Sequence, residues 1–365
     1  MKKGKVLITG GAGFIGSHTA DALRAKGYRV RIVDALLPPV HNGRPARSAS
    51  GSDAGGWPSY SLGKGYELIR ADVRKKETWV KALKGVHYVY HLAAYQDQRE
   101  DFSTFFTTNT VSTALLYETV VSRKLKVKKV ILASSQFVYG DGIYTCTHSG
   151  KAFLPELRTL TQFKSKKFDI LCAHGSPARY NSFREDQPTM PTNSYGLSKI
   201  ALETLAMRLG KTYGIPTVAL RYSIVQGERQ SPRNLYSGAL RIFITQALAN
   251  KPLTVYEDGH QRRDFVNVHD VVAANILVLK NKKADFNVLN VGGGKAYTVR
   301  EFAKLVKDVT KSDAPIKLSG FRRTDTRHAV SDITKIKKLG WKPRFTPEKS
   351  VRDYVAWYTK EFMKP

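Results

Sequence analysis

A tyrosine and a lysine four residues apart, Tyr195 and Lys199, have the clearest chemical potential in this sequence. On a helix, that spacing places both side chains on one face, one turn apart. A neighbouring ammonium favours the phenolate and lowers the tyrosine pKa below its ordinary value of about 10. The pair could therefore accept a proton near neutral pH, although an isolated pair of this kind is more often an ordinary helix surface.

Two serines before this pair supply a second signal. Ser134 and Ser135 follow an apolar run at residues 130–133 that is typical of a buried strand. In a parallel sheet, ligands bind at the carboxyl ends of the strands. We therefore expect these hydroxyls to lie in a ligand crevice together with Tyr195.

Three glycines near the start of the chain, Gly10, Gly13 and Gly16, follow a short apolar run and precede an amphipathic pattern. Such glycines permit a sharp turn, a close approach of backbone amides to a pyrophosphate, and tight packing of a helix on a strand. Asp34 ends a second apolar run, where a carboxylate can bind the hydroxyls of an adenosine ribose. Because it would repel a 2′-phosphate, the sequence favours NAD over NADP.

Strand and helix patterns alternate along the first half of the chain. Strands are predicted near residues 5–9, 29–34, 66–71, 88–92 and 130–133, with helices at 75–83 and 102–124. Residues 38–65 are rich in Gly, Pro, Ser and Asn and predict a long loop. The alternation predicts an α/β fold, a doubly wound parallel sheet of the Rossmann type with helices on both faces.

The alternation of strand and helix patterns stops after Gly140. It resumes with a predicted helix at 195–213 and a predicted strand at 217–221. We expect residues 1–222 to form mainly an NAD-binding domain, with an insertion at 141–190. Residues 223–365 should form mainly a smaller, mixed α/β substrate-binding lobe that is interleaved with the first domain. Its predicted helices are 236–249, 269–279 and 298–311, with short strands such as 287–291.

The net charge is the unusual feature of the composition, with 60 Lys and Arg against 30 Asp and Glu and a formal charge of +30. The basic residues are spread along the chain without a basic tail or nucleic-acid motif, so a basic surface suited to an anionic substrate is expected rather than a nucleic-acid partner. No long apolar run predicts a membrane span. Two cysteines and no recognisable signal peptide favour a reducing cytoplasm.

The insertion contains two Cys-x-His pairs, Cys146 with His148 and Cys172 with His174. Four such ligands could form a tetrahedral structural zinc site and hold a segment that has little apolar core. The spacing within each pair is tighter than usual for zinc. The alternative is two buried cysteines beside two solvated histidines.

Taken in order, these motifs resemble the extended short-chain dehydrogenase/reductases, in particular the nucleotide-sugar epimerases and dehydratases. The resemblance rests on Thr9-Gly-Gly-Ala-Gly-Phe-Ile-Gly, His91-Leu-Ala-Ala, Ser134-Ser135, Tyr195 with Lys199, Leu220-Arg-Tyr, Arg263-Asp-Phe-Val, Arg322 and Asp325. It implies that Tyr195 is the catalytic base and that Lys199 tunes it and binds the nicotinamide ribose. It also implies that Ser135 hydrogen-bonds the sugar hydroxyl.

The resemblance and the glycine turn together predict the remaining site residues. The cofactor-binding set is Gly10, Gly13, Phe14, Ile15, Gly16, Asp34, Asp72, Val73, Leu92, Ala93, Ala94, Asn109, Tyr195 and Lys199. The substrate-binding set is Gln96, Ser135, Gln136, Arg263, Arg322 and Asp325. The arginines suit a nucleotide diphosphate because a guanidinium can bind phosphate oxygens bidentately. A homodimer packed through the helices at 102–124 and 195–213 is also implied.

Two departures from the family's pattern bear on the reaction. Dehydratases of the family carry an acidic pair after the hydroxyl residue, but this chain has Gln136 and Phe137, which cannot transfer a proton. Dehydration is therefore not expected, nor is a decarboxylation that needs a glutamate at the second position. The family's usual Phe-Asn after Tyr222 is replaced by Ser223 and Ile224, which removes an asparagine near the substrate.

The remaining chemistry is oxidation and re-reduction at one sugar carbon. The sequence thus predicts an NAD-dependent epimerase of a dTDP- or UDP-sugar, with inversion at C4. Residues 94–98 and 101–106 resemble a subgroup of dTDP-L-rhamnose 4-epimerases. A one-way nucleotide-sugar reductase or dehydrogenase and a non-catalytic NAD-binding protein are the alternatives.

Overall fold

The structure of the chain, a computed structural model, describes residues 3–37, 65–96, 100–232 and 238–363. Its strands are β1 (Lys5–Thr9), β2 (Arg29–Asp34), β3 (Glu67–Arg70), β4 (Tyr88–His91), β5 (Lys129–Ser135), β6 (Tyr144–Thr145), β7 (Ala152–Phe153), β8 (Arg179–Tyr180), β9 (Thr217–Tyr222), β10 (Ile224–Gln226), β11 (Leu253–Tyr256), β12 (Arg262–Asn267), β13 (Asn287–Val291), β14 (Ala296–Thr298) and β15 (Ile316–Ser319). Its helices are α1 (Phe14–Ala25), α2 (Lys76–Ala82), α3 (Phe102–Phe105), α4 (Ser112–Ser122), α5 (Leu160–Lys164), α6 (Ser194–Thr212), α7 (Ala239–Leu248), α8 (Val268–Lys280), α9 (Val299–Thr310), α10 (Thr334–Lys337) and α11 (Pro347–Phe362).

Seven strands form the central sheet in the order β3, β2, β1, β4, β5, β9, β13, and every neighbouring pair is parallel. All seven residues of β5 are buried, which is expected for a strand covered on both faces. The register aligns Thr9 with Val33 and His91, and Ser135 with Tyr222. The strands therefore end together at one edge, and the predicted doubly wound α/β fold is confirmed.

Two apolar clusters cover the faces of this sheet. One joins the strands to α1 and α8 through residues that include Ala20, Val271 and Val278, and the other joins them to α2, α4 and α6 through Trp79, Leu116 and Leu202. Burial of this apolar area is the main term that holds the helices on the sheet.

The predicted helix at 102–124 is present in three parts, because a π-helical turn at Phe106–Val111 separates α3 from α4. The helix predicted at 298–311 is α9, and it starts one residue later because Thr298 is its N-cap. The Thr298 side chain accepts from the Glu301 amide, and the Glu301 carboxylate accepts from the Thr298 amide. The predicted loop at 38–65 lies, apart from Gly65, outside the described residues, and so does the predicted start of the helix at 236.

The second lobe contains a three-stranded sheet, β10 with β12 and β14, and a parallel pair, β11 with β15. Helices α7, α9 and α11 pack on these strands around a third apolar cluster. Two elements after residue 222 join the central sheet and its covering helices, since α8 packs on α1 and β13 pairs with β9. The insertion folds as a small antiparallel sheet in the order β7, β6, β8, together with α5. Among the described helices, none has the length and apolarity to cross a membrane.

Candidate functional site

A cavity of about 700 Å³ lies where the central strands end and faces the second lobe. Most of the predicted site residues line it: Gly10, Gly13, Phe14, Ile15, Gly16, Asp34, Asp72, Val73, Leu92, Ala93, Ala94, Gln96, Ser135, Tyr195 and Lys199. The remaining ones, Asn109, Gln136, Arg263, Arg322 and Asp325, do not line it. One cavity thus joins the glycine turn to the tyrosine, the lysine and the serine.

The glycine turn brings β1, α1 and the end of β4 into close contact. Gly10 has φ +66°, a conformation that favours glycine, and a Cβ there would lie 2.8 Å from the Ala93 backbone. A Cβ on Gly16 would clash with the Gly10 carbonyl oxygen. Helix α1 has Gly13 as its N-cap and no side-chain cap. Its first amides can therefore bind an anion such as a pyrophosphate.

Two carboxylates lie along the cavity wall. Asp34 accepts hydrogen bonds from the backbone amides of Ala12 (3.0 Å) and Leu36 (2.9 Å), and burial raises its pKa. Asp72 accepts from the guanidinium of Arg74 at 3.0 and 2.5 Å. Burial raises the pKa of Asp72, but the hydrogen bonds and charge of Arg74 outweigh it, so the net shift is downward. Both carboxylates therefore have defined orientations in the cavity wall. Their predicted contacts with the cofactor stay predictions.

Lys199 is held beside Tyr195 by the sheet. Its Nζ donates to the Ala133 carbonyl at 2.8 Å and lies 5.6 Å from the centre of the Tyr195 ring. Burial lowers the pKa of Lys199 to about 7. The ammonium is thus fixed one helical turn from the phenol, as the spacing of the two residues predicts.

The first turn of α6 is placed against the end of β5. Asn193 caps the helix by accepting from the Gly196 amide at 2.9 Å. A Cβ on Gly196 would lie 2.5 Å from the Phe137 carbonyl oxygen, so only glycine allows this approach. Ser135, which accepts from the Phe137 amide at 3.2 Å, belongs to the same turn. This contact places the first turn of α6, which carries Tyr195, beside the turn that follows Ser135. Both turns form part of one wall of the cavity.

A buried polar network behind this wall was not predicted from the sequence. Glu203 accepts from Ser134 Oγ at 2.8 Å and from two nitrogens of Arg221 at 3.0 and 2.5 Å. Arg221 also donates to the Tyr139 hydroxyl at 2.7 Å. The network connects α6 to β5 and β9. The available signal was the position of Glu203 one turn after Lys199, since a carboxylate on a buried helix face requires partners.

Asn109 lies in the π-helical turn, behind the cavity wall. Its Oδ1 accepts from the Tyr95 amide at 2.8 Å, and its Nδ2 donates to the Tyr95 carbonyl and to Ser198 Oγ at 3.1 and 2.9 Å. The side chain therefore connects the segment after β4 to α6. Its predicted contact with the cofactor stays a prediction.

The predicted diphosphate-binding arginines have other contacts in this structure. Arg263 donates to the backbone carbonyls of Arg262, Thr326 and Arg327 at 2.8 to 3.0 Å. The Arg322 guanidinium lies 4.4 Å from the centre of the Tyr256 ring. Their predicted role in substrate binding stays a prediction.

A third arginine, Arg241 on α7, does line the cavity. It is 2% exposed, and burial lowers its pKa to about 10. No motif pointed to it, because its place depends on the packing of α7 against α9, α11 and β11 in the second lobe.

The two remaining predicted substrate contacts, Gln136 and Asp325, are not among the residues that line the cavity. Gln136 is buried, in the turn that follows β5. Asp325 is held through its backbone, since its carbonyl accepts from Arg158 at 2.6 Å.

In the insertion, three of the four predicted zinc ligands come together. Ligand atoms of Cys146, Cys172 and His174 all lie within 4.8 Å of one another. The His148 ring lies beside them, 4.4 Å from the His174 ring between centres.

Comparisons with known proteins agree with this geometry. The model of the NAD dependent epimerase/dehydratase family matches residues 6–168, and the model of GDP-mannose 4,6 dehydratase matches residues 172–354. A putative UDP-glucose 4-epimerase of Methanocaldococcus jannaschii is 30% identical over 356 residues, which cover 96% of this chain and 97% of the relative. The chain belongs to the NAD dependent epimerase/dehydratase family.

Other members of this epimerase/dehydratase family match as completely. A dTDP-L-rhamnose 4-epimerase of Burkholderia thailandensis is 29% identical, over 98% of this chain and 95% of its own. The crystal structure of a Bacillus cereus UDP-glucuronic acid 4-epimerase in complex with UDP-glucuronic acid and NAD has 25% identity and a TM-score of 0.77, covering 98% of this chain and 99% of that one. The family predicted from the sequence is confirmed.

Proposed function

We propose that the protein is an NAD-dependent nucleotide-sugar epimerase that inverts C4 of the sugar through a transient keto intermediate. One observation carries this proposal: a single cavity contains the glycine turn, Ser135, Tyr195 and Lys199. Such a set would hold a dinucleotide beside a proton acceptor within one cavity.

The residues present fit NAD. The amides at the uncapped amino end of α1 would donate to the pyrophosphate. Gly10 and Gly16 permit the tight turn before this helix, since a Cβ at either position would clash with the backbone. Asp34 lies where it can accept the ribose hydroxyls. Bound NAD supplies the hydride acceptor for the C4 hydrogen and the hydride donor for its return.

In the proposed reaction, Tyr195 holds and moves the proton. Its phenolate accepts the proton of the C4 hydroxyl and returns it when the carbonyl is reduced on its other face. In its protonated form Lys199 favours the phenolate by its charge. Ser135 orients the sugar oxygen by a hydrogen bond. Each group returns to its starting state, as an epimerase without net redox change requires.

Dehydration is the second reaction to consider, because a GDP-mannose 4,6 dehydratase model matches the second half of the chain. Elimination of water needs an acid and a base beyond the tyrosine. Gln136 and Phe137 occupy the two positions after Ser135 and cannot exchange protons. We therefore favour epimerisation.

A panel of UDP- and dTDP-sugars, followed by NMR of the sugar protons, tests the reaction. We expect a mixture of C4 epimers with no net change in NADH absorbance. Tyr195→Phe should lower kcat by about 10²–10⁴-fold, because it removes the general base, while NAD stays bound to the variant. Tyr213→Phe, at the exposed end of α6, is the matched control. Stoichiometric NADH formation would instead identify a dehydrogenase.

The substrate is proposed to carry a nucleoside diphosphate, which Arg241 would contact. The buried charge of Arg241 lines the cavity, and a guanidinium binds phosphate oxygens well. Arg241→Gln should raise KM about tenfold, with kcat nearly unchanged, if the contact is made equally in the ground and transition states. Arg208→Gln, on α6 outside this cavity, is the control. An unchanged KM in Arg241→Gln would reject this contact.

We favour dTDP-L-rhamnose as the sugar part of the first substrate to test, because the Burkholderia relative is a dTDP-L-rhamnose 4-epimerase.

We also propose a homodimer formed through the face of α3, the π-helical turn and α6. Phe102, Phe106, Val111 and Leu197 expose 57, 37, 45 and 45% of their surface there, and exposed apolar patches of this kind mark interaction sites. Light scattering after gel filtration should give twice the chain mass, and Phe106→Glu with Leu197→Glu should give the monomer mass. A monomeric wild-type protein would reject the proposed dimer.

The cytoplasm is the proposed compartment. The predicted structural zinc is a separate proposal, and the reaction does not require it.

A further inference from the structure

We propose that Cys146, His148, Cys172 and His174 bind a structural Zn²⁺ ion that joins two turns of the insertion. The site is separate from the catalytic cavity, since none of the four residues lines that cavity. The inference does not depend on the proposed epimerase reaction. It rests on distances, on the construction of the two turns and on the packing of the insertion.

The distances suit tetrahedral coordination. Cys146 Sγ and Cys172 Sγ lie 3.5 and 3.9 Å from His174 Nδ1. A tetrahedral ion with Zn–S of about 2.3 Å and Zn–N of about 2.0 Å separates sulfur from nitrogen by about 3.5 Å. Small side-chain adjustments would therefore place an ion between the three atoms. Thiolate and imidazole are the ligands that zinc prefers.

The two turns that carry the cysteines differ by one residue in length, but each is closed by a hydrogen bond from the cysteine amide. In the first, the Cys146 amide donates to the Lys151 carbonyl at 2.9 Å, and in the second the Cys172 amide donates to the Ser176 carbonyl at 2.9 Å. The Ser149 amide also donates to Cys146 Sγ at 3.4 Å. Amide hydrogen bonds of this kind orient a metal-bound thiolate and compensate its charge.

Each turn also contains a left-handed glycine, Gly150 with φ +70° and Gly175 with φ +74°. The histidine lies two residues after the cysteine in both turns. His148 therefore has the same place in the first turn as His174 has in the second, and the two rings lie 4.4 Å apart between centres. We assign His148 as the fourth ligand, which closes the site as structural zinc sites require.

The insertion has few other interactions that would hold its two turns together. The four apolar clusters found among the described residues contain no residue between 141 and 182. The strands of the insertion are two residues long. Small units without a sufficient core are commonly held by disulfides or metals. Zinc would supply that restraint to the segment that packs on the second lobe.

Metal analysis of the full chain, purified without a histidine tag or chelator, tests the proposal. We expect about one equivalent of zinc per chain, and less than about a tenth of an equivalent would overturn it. Replacing zinc by Co²⁺ in the wild-type protein should give the intense d–d bands of tetrahedral cobalt and a sulfur-to-cobalt charge-transfer band. Absence of the charge-transfer band would exclude cysteine ligation without the use of any variant.

Variants identify the ligands. Cys172→Ser and His174→Ala should lose the metal, whereas His260→Ala, which changes an exposed histidine outside the cluster, should keep it. His148→Ala should weaken zinc binding at least tenfold in competition with a chromogenic chelator, and unchanged binding would overturn the four-ligand site. NAD binding by each variant shows that the Rossmann domain remains folded. A Cys146–Cys172 disulfide, detected as missing thiols in the denatured wild-type protein, would also overturn the proposal.

Discussion

The catalytic wall and the insertion are positioned by different forces. Behind Tyr195 and Lys199, β5 lies between two large apolar clusters, and α6 contributes Leu202 and Ala206 to one of them. Glu203, on the same helix, is buried. The insertion contributes to no such cluster between residues 141 and 182. Its junction with the second lobe combines the ion pair of Arg158 with Glu257, at 2.9 Å, with the stacked rings of Phe163 and Phe321, 4.6 Å apart between centres.

This difference shows which site residues a sequence pattern can locate. Apolar periodicity marks buried strands and helices, and those elements bring their terminal residues to a shared edge. The charged residues at a junction between distant segments follow no periodic pattern in the sequence. Arg327, which is 1% exposed and bound to Glu257, Asp258 and Asp169, was therefore not predicted.

The largest expected effect concerns the anchor of the catalytic helix. Glu203→Ala leaves the buried guanidinium of Arg221 without its carboxylate, and loss of one partner of a buried pair costs about 3–5 kcal/mol. Urea unfolding should show this loss in the free energy of unfolding. Glu118→Ala, on the exposed face of α4, is the control. A loss of less than about 1 kcal/mol would mean that apolar packing alone positions α6.

A smaller effect is expected from the pH dependence of Lys199. Its pKa is about 7 in the folded protein and about 10.4 in the unfolded chain. Between these values the unfolded state binds more protons, so the free energy of unfolding rises with pH. From pH 7 to 9 we expect a rise of about 2 kcal/mol that Lys199→Met abolishes. Equal slopes in both proteins would show that the ammonium is not desolvated at the wall.

The smallest effect should come from the exposed side of the insertion junction. Asp169 pairs with Arg327, but 47% of its side chain is exposed. Asp169→Asn should change the free energy of unfolding by less than about 1 kcal/mol, as is usual for exposed ion pairs. If Asp169→Asn lowered the free energy of unfolding as much as Glu203→Ala does, the catalytic wall and the insertion would not differ in the way proposed. The measurement is the same urea titration at low and high salt.

The amino-acid sequence by itself determined the alternating strands and helices, the glycine turn and the one-turn spacing of Tyr195 and Lys199. These features are local, because they follow from residue periodicity and from the conformational freedom of glycine. They were enough to predict the fold, and the motifs in order were enough to predict the family. The lining of the cavity by Gly10 and Ser135 follows from where β1 and β5 end.

Only the tertiary structure decided which long polar side chains face the cavity. Arg241 reaches it from α7, whereas Arg263 and Asn109 turn to backbone groups of neighbouring segments. It also decided that Cys146 and Cys172 meet, although 25 residues separate them in the chain. The physical reason is that these placements depend on contacts between distant segments, which no local pattern of residues specifies.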